Sequence, residues 1–431
     1  MEALDALVGL SLVEPLANDR MRLVPLIRDY AADCLREVPL AIQDKLGAAA
    51  FAYWLDYAQG HAHNHNIDAL ETEADGLLLA LAWAHDHEKH EAVLAMAHAL
   101  MIAWDVRGRR REELEIYAWC VQAANALGNI VEQRWATHQL AVTRSKTRDF
   151  QGARAEFTRT LQLATQLDET WAIHLATHEL ALLAAQTGDT QHASQGIEQA
   201  LRLAYELDDQ RAIRTHTHEL AVLAANTGKL RYAREAYTQA LALARHQGDS
   251  AAIQRELHEL AVLAAQTGDI AGARAGYSDA LSLAQELGDK AAILSETHEL
   301  ALLAAQTGDL ESARAGLRES LRLAGELGDT RSLCVAIYSL AQLAETTEEQ
   351  EQGYREALRL ATELGDSALE ARIQSSLLEA LNGASRSTAG DREVQPTIEL
   401  VRSTSDNSGP EWRRTTQLMT GPAASKLRRR W

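Results

Sequence analysis

The sequence predicts an all-α solenoid in which antiparallel helix pairs stack on one another. A phrase that begins at Thr177 and ends at Gly188-Asp189 recurs from Thr217, Leu257 and Thr297, always 40 residues apart. Periods of 20 to 50 residues are typical of stacked, similar units rather than of one closed core. Only six prolines and 5% aromatic residues occur in 431 residues, which favours helices packed with small side chains. We therefore expect the surface of the units to carry the function.

Charge and cysteine content exclude several classes of protein. The 42 Lys and Arg face 61 Asp and Glu, a net charge of −19, which disfavours nucleic acid and anionic membranes as partners. Cys34, Cys120 and Cys334 are sparse and form no CxxC motif, so buried thiols in a reducing compartment are expected rather than disulfides or a zinc knuckle. No apolar run has the length of a signal peptide or a membrane span, and we expect a cytoplasmic protein.

Residues 1–38 have the pattern helix, hairpin, helix. Residues 3–8 have helical spacing, 11–16 and 21–24 read as short extended pieces, and Pro25 opens a helix that continues to Arg36. This is the outline of the end of a winged-helix domain. Residues 39–92 follow as irregular helices, which we interpret as an adaptor that caps the first repeat.

The first 90 residues resemble one known family. The winged-helix-like run, with Ile27-Arg28-Asp29-Tyr30-Ala31 at its centre, resembles the segment that follows the nucleotide-binding module in STAND-class (NB-ARC type) regulators. Glu71 to Asp75, leading into Leu81-Ala82-Trp83, resembles the first repeat-domain helices of bacterial members. The resemblance implies the C-terminal part of such a regulator, or a relative without the motor. No GxxxxGK[ST] phosphate loop occurs, so nucleotide binding is not implied.

Glycine and aspartate positions set the phase of the repeat. A glycine ends each first helix in the αL conformation that suits it, and an aspartate caps the second helix in three of the four clear units. Lys229 occupies the aspartate position in the remaining unit. Degenerate copies extend the array to about seven units plus a closing helix, over residues 93–382. Ala181, Ala221, Ala261 and Ala301 are expected where paired helices approach closely.

These units resemble the tetratricopeptide repeat (TPR) in its 40-residue form. The matching features are the Leu-Ala pair of the first helix, the glycine at its end, the early alanine of the second helix and an aromatic residue four positions later, as at Phe157, Tyr237 and Tyr277. The early tryptophan and terminal proline of that family are absent, and Leu-Gly-Asp takes the place of the turn. The resemblance implies a right-handed superhelical solenoid.

One histidine recurs in each unit. The ladder consists of His138, His178, His218, His258 and His298. Four of them precede Glu, but the HExxH zinc motif fails because the residue four positions on is Leu or Val. Neighbouring helices are ~10 Å apart, so several imidazoles cannot converge on one ion. The ladder is therefore a row of imidazoles paired with polar neighbours or part of a functional surface, with an ion shared between two neighbours as a minor alternative.

The TPR resemblance implies that the ladder positions line a concave groove. Such a groove would offer imidazole, short aliphatic and carboxamide groups in rows, which suits an extended peptide. The candidate peptide-binding residues are His138, His178, His218, His258, His298, Leu182, Val222, Val262, Leu302, Gln186, Asn226, Gln266 and Gln306.

Other potential chemistry is weak. His61, His63 and His65 fall in an expected polar loop, and His85, His87 and His90 form a second group that could hold a transition metal but is more typical of a solvated surface. No serine elbow, acid pair or phosphate loop appears. We expect no enzymatic activity, no cofactor and no resident metal, although a metal-dependent hydrolase that uses a histidine cluster stands as a minor alternative.

Residues 383–431 change in character. Gly, Ser, Thr, Asn and Pro dominate, which predicts a disordered tail. Nine Lys and Arg against five Asp and Glu give this tail +4 and leave −23 on the rest of the chain. The tail either has no role, contacts nucleic acid, or places Arg428, Arg429, Arg430 and Trp431 on an acidic surface of the solenoid, in its own chain or another.

Together these patterns predict a protein- or peptide-binding sensor or scaffold of a STAND-class signalling or transcriptional regulator, without its own nucleotide site. A freestanding TPR adaptor for protein assembly is the alternative. The ligand, the oligomeric state and the presence of an ATPase module in the same polypeptide are left open by the sequence.

Overall fold

The computed structural model describes residues 7–8, 10, 12–15, 21–23 and 25–387. Most of the predicted first helix lies outside the described residues. So does the predicted basic tail from residue 388 onward, which includes Arg428 to Trp431. A short antiparallel hairpin joins β1 (Val13–Pro15) to β2 (Met21–Leu23), with Val13 opposite Leu23. The winged-helix interpretation of residues 1–38 stays a prediction.

Four helices follow the hairpin before the regular array. They are α1 (Pro25–Glu37), α2 (Leu40–His63), α3 (Ile67–Thr72) and α4 (Ala74–Asp86). The predicted polar loop at His61 to His65 is wrong in part, because α2 continues through His61 and ends at His63. Phe51 of α2 and Leu77 and Leu81 of α4 enter one apolar core with α5, which closes this end of the array.

Fourteen helices in the described residues then form seven consecutive pairs. Their bounds are α5 (His90–Arg107), α6 (Arg110–Ala126), α7 (Ile130–Lys146), α8 (Phe150–Gln166), α9 (Thr170–Gln186), α10 (Thr190–Glu206), α11 (Gln210–Asn226), α12 (Leu230–Gln247), α13 (Ser250–Gln266), α14 (Ile270–Leu287), α15 (Lys290–Gln306), α16 (Leu310–Leu327), α17 (Thr330–Gln342) and α18 (Thr347–Leu364). The helix α19 (Ser367–Ser387) packs on α18. The predicted all-α class of packed helix pairs is confirmed.

The chain divides into two compact units. The first ends at Leu207 and contains the pairs from α5 to α10, and the second begins at Asp208 and contains the pairs from α11 to α18 with α19. None of the described helices combines the length and apolarity needed to cross a membrane.

Turns between helices follow the predicted glycine and aspartate chemistry. Gly268 has φ +80°, the left-handed conformation that ends α13, and the N–H of Asp269 bonds to the carbonyl of Ala264 at 2.9 Å. The carboxylate of Asp269 then accepts a hydrogen bond from the N–H of Gly272 at 2.9 Å, which caps α14. Lys229 makes no side-chain cap, as its residue type predicts.

Close approach within each pair depends on small side chains, as predicted. A methyl group added at Gly276 would lie only 2.9 Å from the Cβ of Ala261. The same pairing recurs at Gly196 with Ala181 and at Gly316 with Ala301, at 2.6 and 2.7 Å. Alanine and glycine are therefore required where the two helices of a pair touch.

Apolar layers join one pair to the next within a unit. Tyr237 of α12 is fully buried among Ala221 and Ala233, and Leu263 of the next first helix enters the same cluster. Tyr277 and Leu303 repeat this arrangement one pair later. A helix pair buries its apolar face only by stacking on its neighbour.

Two glycines should respond to alanine in opposite directions. Gly268 requires positive φ, so Gly268→Ala is expected to reduce the free energy of unfolding by about 1 kcal/mol, although nothing lies within 4 Å of the added Cβ. Gly325 lies inside α16 with open space around it, so Gly325→Ala should raise that free energy by up to about 1 kcal/mol. Urea denaturation of both variants measures the difference, and shifts of the same sign would contradict the assignment.

A candidate protein-binding face above a buried His–Glu ladder

The predicted groove residues lie along the first helix of each pair. Residues three or four positions apart share one side of a helix, so His258, Val262 and Gln266 lie on one face of α13. We call this side of α5, α7, α9, α11, α13 and α15 the first-helix face. It holds every candidate binding residue that the sequence identified.

Exposure separates these candidates into rows. The carboxamide row is the most accessible, because Asn226, Gln266 and Gln306 are exposed, while Gln186 is half-buried. In the aliphatic row Val222 and Val262 are half-buried, whereas Leu182 and Leu302 are only 7% and 2% exposed. A ligand on this face would therefore meet carboxamides and valines first.

None of the five ladder histidines is exposed. His138, His178, His218 and His258 are half-buried, and His298 is buried. The imidazole of His258 donates from Nδ1 to the Glu296 carboxylate at 2.9 Å, and Gln254 Nε2 donates to the same carboxylate at 2.8 Å. His218 Nδ1 contacts Glu256 Oε2 at 3.0 Å. Each of these histidines thus reaches from one first helix to the next.

Glu256 and Glu296 are completely buried, and each carboxylate pairs with a histidine of the preceding first helix. Burial alone lowers the pKa of His258, but the hydrogen bond and charge of Glu296 outweigh it and raise the pKa to about 9. Burial also opposes protonation of His218, and Glu256 again raises its pKa. The cationic imidazole is the favoured form at both positions.

His138 has the opposite electrostatics. The residue 38 positions after His138 is Ala176, where His218 and His258 find Glu256 and Glu296. Burial, reinforced by the positive charge of Arg134, lowers the pKa of His138 to about 4. The ring packs instead near Phe157, with 5.8 Å between ring centroids. The surroundings therefore disfavour the charged imidazole at His138 and favour it at His218 and His258.

The glutamates that follow His258 and His298 have a separate partner. Tyr237 Oη donates to Glu259 Oε2 at 3.1 Å, and Tyr277 Oη donates to Glu299 Oε2 at 3.4 Å. The ring of His218 meets Tyr237 edge to face, with centroids 5.5 Å apart. Each tyrosine thus lies between the histidine of its own pair and the glutamate of the next. In the dipeptide His258-Glu259 the two side chains thus bind different groups on neighbouring helices.

Sequence reasoning missed the acidic partners. Glu256 and Glu296 precede the ladder histidines by two positions, but the equivalent residues are His216, Ala176 and Ala136 in other copies. A glutamate that occurs at this position in only two of five helix pairs does not stand out as a repeat. The 38-residue spacing from His218 to Glu256 and from His258 to Glu296 is the only trace of the pairing in the chain.

Three histidines of the two groups outside the ladder stack on aromatic rings. His61 stacks on Tyr57 at 4.0 Å, His85 stacks on Trp119 at 4.5 Å, and His87 stacks on Trp83 at 4.6 Å. His87 Nε2 also contacts Asp44 at 3.2 Å. These contacts orient the rings individually along their helices.

In the first unit the first-helix face carries exposed apolar side chains, which the repeat pattern did not predict. Ile102 and Val106 of α5, Val131 of α7 and Trp171 of α9 are between 44% and 53% exposed. Trp171 is covered on one side by the guanidinium of Arg134, 4.7 Å from the ring centroid. Ile102 and Val106 occupy the places that Leu182 and Gln186 hold in the repeated phrase, whereas Val131 and Trp171 lie before the phrase begins.

Comparison with known proteins supports the fold. A family model described as anaphase-promoting complex subunit 5 matches residues 141–224, 214–259, 254–299 and 297–347. No match to a curated protein sequence was found.

Solved structures with similar folds are repeat proteins. A STAND protein with a tetratricopeptide repeat sensor from Pyrococcus horikoshii is 14% identical, with a TM-score of 0.53 over 90% of this chain and 55% of that chain. The quorum sensor NprR from B. thuringiensis is 15% identical, with a TM-score of 0.48 over 88% of this chain and 97% of that chain. BtubC from P. vanneervenii is 20% identical, with a TM-score of 0.46 over 51% and 92%. The chain has a TPR-like fold, and it spans 55% of the length of the STAND protein.

Removing one partner of the buried ion pair should destabilise the second unit strongly. Glu296→Gln leaves His258 without its carboxylate, and His258→Gln leaves a buried carboxylate, so each should lower the free energy of unfolding by about 3 kcal/mol. The double variant should lose about 1–3 kcal/mol less than the sum of the two, because neither charge is left unpaired. Urea denaturation of the four proteins measures this coupling. Additive losses would argue against the pair.

The ladder also predicts two opposite pH dependences. The folded pKa of His258 lies above its ordinary value of 6.5, so its stabilising effect is complete below pH 6.5 and is lost as the pH rises through about 9. The depressed pKa of His138 makes the fold lose stability as the pH falls from 6.5 through about 4. Thermal melts of wild type, His258→Gln and His138→Gln from pH 4 to 10 measure both effects. Wild-type and variant curves that stay parallel throughout would contradict them.

Proposed function

We propose that this chain is a protein-binding TPR module that acts as the sensor or scaffold of a STAND-class signalling or transcriptional regulator. One observation carries the proposal: the first-helix face offers an exposed carboxamide in successive pairs, at Asn226, Gln266 and Gln306. Within the described residues these three side chains have no hydrogen-bond partner. A carboxamide both donates and accepts, so such a row can pair with the backbone of an extended peptide.

The proposed contact surface is narrower than the set of residues that the sequence suggested. Asn226, Gln266 and Gln306 would bind the peptide backbone, and Val222 and Val262 would contact its side chains. The ladder histidines His218 and His258 would act from below, by fixing the spacing of the helices that carry these groups. His298 and Leu302 would support this row from the interior, and Leu182 and Gln186 hold the equivalent positions in the first unit.

The link to a STAND regulator has its own support. The similarity to the STAND protein with a repeat sensor extends over 90% of this chain. Leu26 and Tyr30 of α1 are 77% and 67% exposed, and Leu40 at the start of α2 is 76% exposed. Apolar side chains on this scale favour contact with another module. In the proposal this end transmits ligand binding to a nucleotide-binding partner, while the chain itself binds no cofactor, catalyses no reaction and acts in the cytoplasm.

A freestanding adaptor for protein assembly is the second candidate. It is supported by the repeat array itself, which needs no nucleotide-binding module to bind a protein. The two candidates share the same binding face and differ in what contacts α1.

Site-specific crosslinking tests the binding face. A photoreactive amino acid at Gln266 should capture a discrete partner in cells, whereas the same group at Arg231 should not, although Arg231 is 95% exposed on the second helix α12. Asn226→Ala combined with Gln266→Ala should then reduce capture from Gln306 about tenfold, the loss of roughly 1.4 kcal/mol of hydrogen bonding. Circular dichroism controls for folding. Equal capture from Gln266 and Arg231 would refute the assignment.

Crosslinking from α1 separates the two candidates. A photoreactive group at Leu26 should capture a nucleotide-binding protein or module if the chain belongs to a STAND regulator. Capture from Gln266 combined with no such capture from Leu26 would favour the freestanding adaptor.

A further inference from the structure

An acidic cavity opens on the first-helix face of the first unit. It has a volume of about 420 Å³ and lies between α5 and α7, lined by Glu91, Leu94, His98 and Glu132. Glu132 Oε2 contacts His98 Nε2 at 2.9 Å. Glu91 is exposed, and in the described part of the chain no cation pairs with it. The lining therefore carries two carboxylates and one imidazole around a space that can admit a side chain.

Aromatic and aliphatic groups lie on α7, which forms one side of this cavity, and on α9, the next first helix. His98, which forms one wall, stacks on Trp135 at 3.8 Å. Val131, next to Glu132 in α7, is 45% exposed, and Trp171 of α9 is 50% exposed on the side not covered by Arg134. Exposed apolar groups of this size beside a charged pocket are typical of a peptide-binding surface rather than of a solvated helix.

The chemistry of the cavity selects its ligand. Carboxylates at Glu91 and Glu132 repel acidic peptides and favour a guanidinium, which donates several hydrogen bonds from one planar group. The neighbouring tryptophans favour a ligand that also carries a large apolar side chain. A suitable ligand thus has arginine close to leucine or tryptophan in the sequence.

Such a segment occurs in this chain. We propose that Lys426–Trp431, with the sequence Lys-Leu-Arg-Arg-Arg-Trp, is a ligand of the first-unit face. One arginine among Arg428 to Arg430 enters the cavity at Glu91 and Glu132, and Leu427 or Trp431 packs against Val131 and Trp171. The charge of +4 on residues 383–431 against −23 on the remainder supports this attraction. The inference rests on the proposed function and adds a regulator to it, because the segment competes with any other partner for this face.

Peptide binding to full-length protein tests the proposal. The probe is a fluorescent peptide with the sequence of residues 422–431, and its anisotropy is followed with wild type and with a full-length variant that carries Arg428→Ser, Arg429→Ser, Arg430→Ser and Trp431→Ala. The variant lacks the competing segment, so it should bind the peptide about tenfold more tightly than wild type. Added salt should weaken binding.

Matched variants locate the site. In the tail-substituted background Glu91→Gln should reduce affinity about tenfold, whereas Glu115→Gln, the same change on an exposed residue of α6, should leave it unchanged. Glu91 has no partner to lose, so folding should not be affected, and Trp171→Ala provides an independent loss of apolar contact. Peptides with arginine replaced by serine, or with tryptophan replaced by alanine, should bind weakly.

Three results would overturn the inference: no peptide binding to the tail-substituted protein, equal effects of Glu91→Gln and Glu115→Gln, or equal binding of a scrambled peptide. Any of these combined with specific crosslinking from Gln266 would leave the proposed protein-binding function intact. Loss of both signals would remove both proposals. Tighter peptide binding by the tail variant supports the inference in either of two cases. If the tail blocks the face of its own molecule, the weaker binding by wild type is independent of protein concentration. If it blocks the face of another copy, the difference increases with protein concentration.

Discussion

Burial of the layer between successive helix pairs is the constraint on which the rest of the second unit depends. The pair α11 and α12 has an apolar face that would be exposed to water if the pair stood alone. The next first helix, α13, must therefore cover it. Most of that layer is alanine, leucine and tyrosine, yet it also holds the fully buried Glu256. A buried carboxylate is tolerated only with a cation and hydrogen bonds, which His218 supplies. Stacking and charge pairing therefore have to be satisfied together.

This coupling divides the repeated phrase into an interior and an exterior part. Ladder histidines point into the layer, where they hold one first helix at a set distance from the next. Carboxamides such as Gln266 lie eight residues further along the same helix and remain exposed. In the proposed function the histidine row supports the binding surface from below. Substitutions of His258 would change ligand binding through the spacing of α13 and α15 rather than through a lost contact.

Local rules explain which features could be predicted from the sequence. Gly268 and Asp269 act within one turn, and Ala261 meets Gly276 across one helix pair, so residue type and spacing were sufficient for both. The ion pair of His258 with Glu296 was out of reach, because it joins residues 38 positions apart and has no equivalent at Ala176 or Ala336. Tyr237 fitted the expected aromatic position, but its hydroxyl contact with Glu259 depends on a neighbouring pair. The continuation of α2 through His61 shows that a polar stretch can remain helical when Tyr57 holds its histidine.

Positions that do not repeat are the more informative ones for specificity. Residues that pack the layers are nearly identical in successive copies, because every pair meets the same neighbour. The position occupied by Trp171 holds Arg211, Ala251 and Ala291 in the next three helix pairs. Packing does not require these differences, since each residue lies at the start of the first-helix face and is exposed. The same backbone thus presents an aromatic, a cationic and two small groups at equivalent places. In the proposed function ligand selection would follow from such variation, whereas the repeated phrase determines how the helices stack.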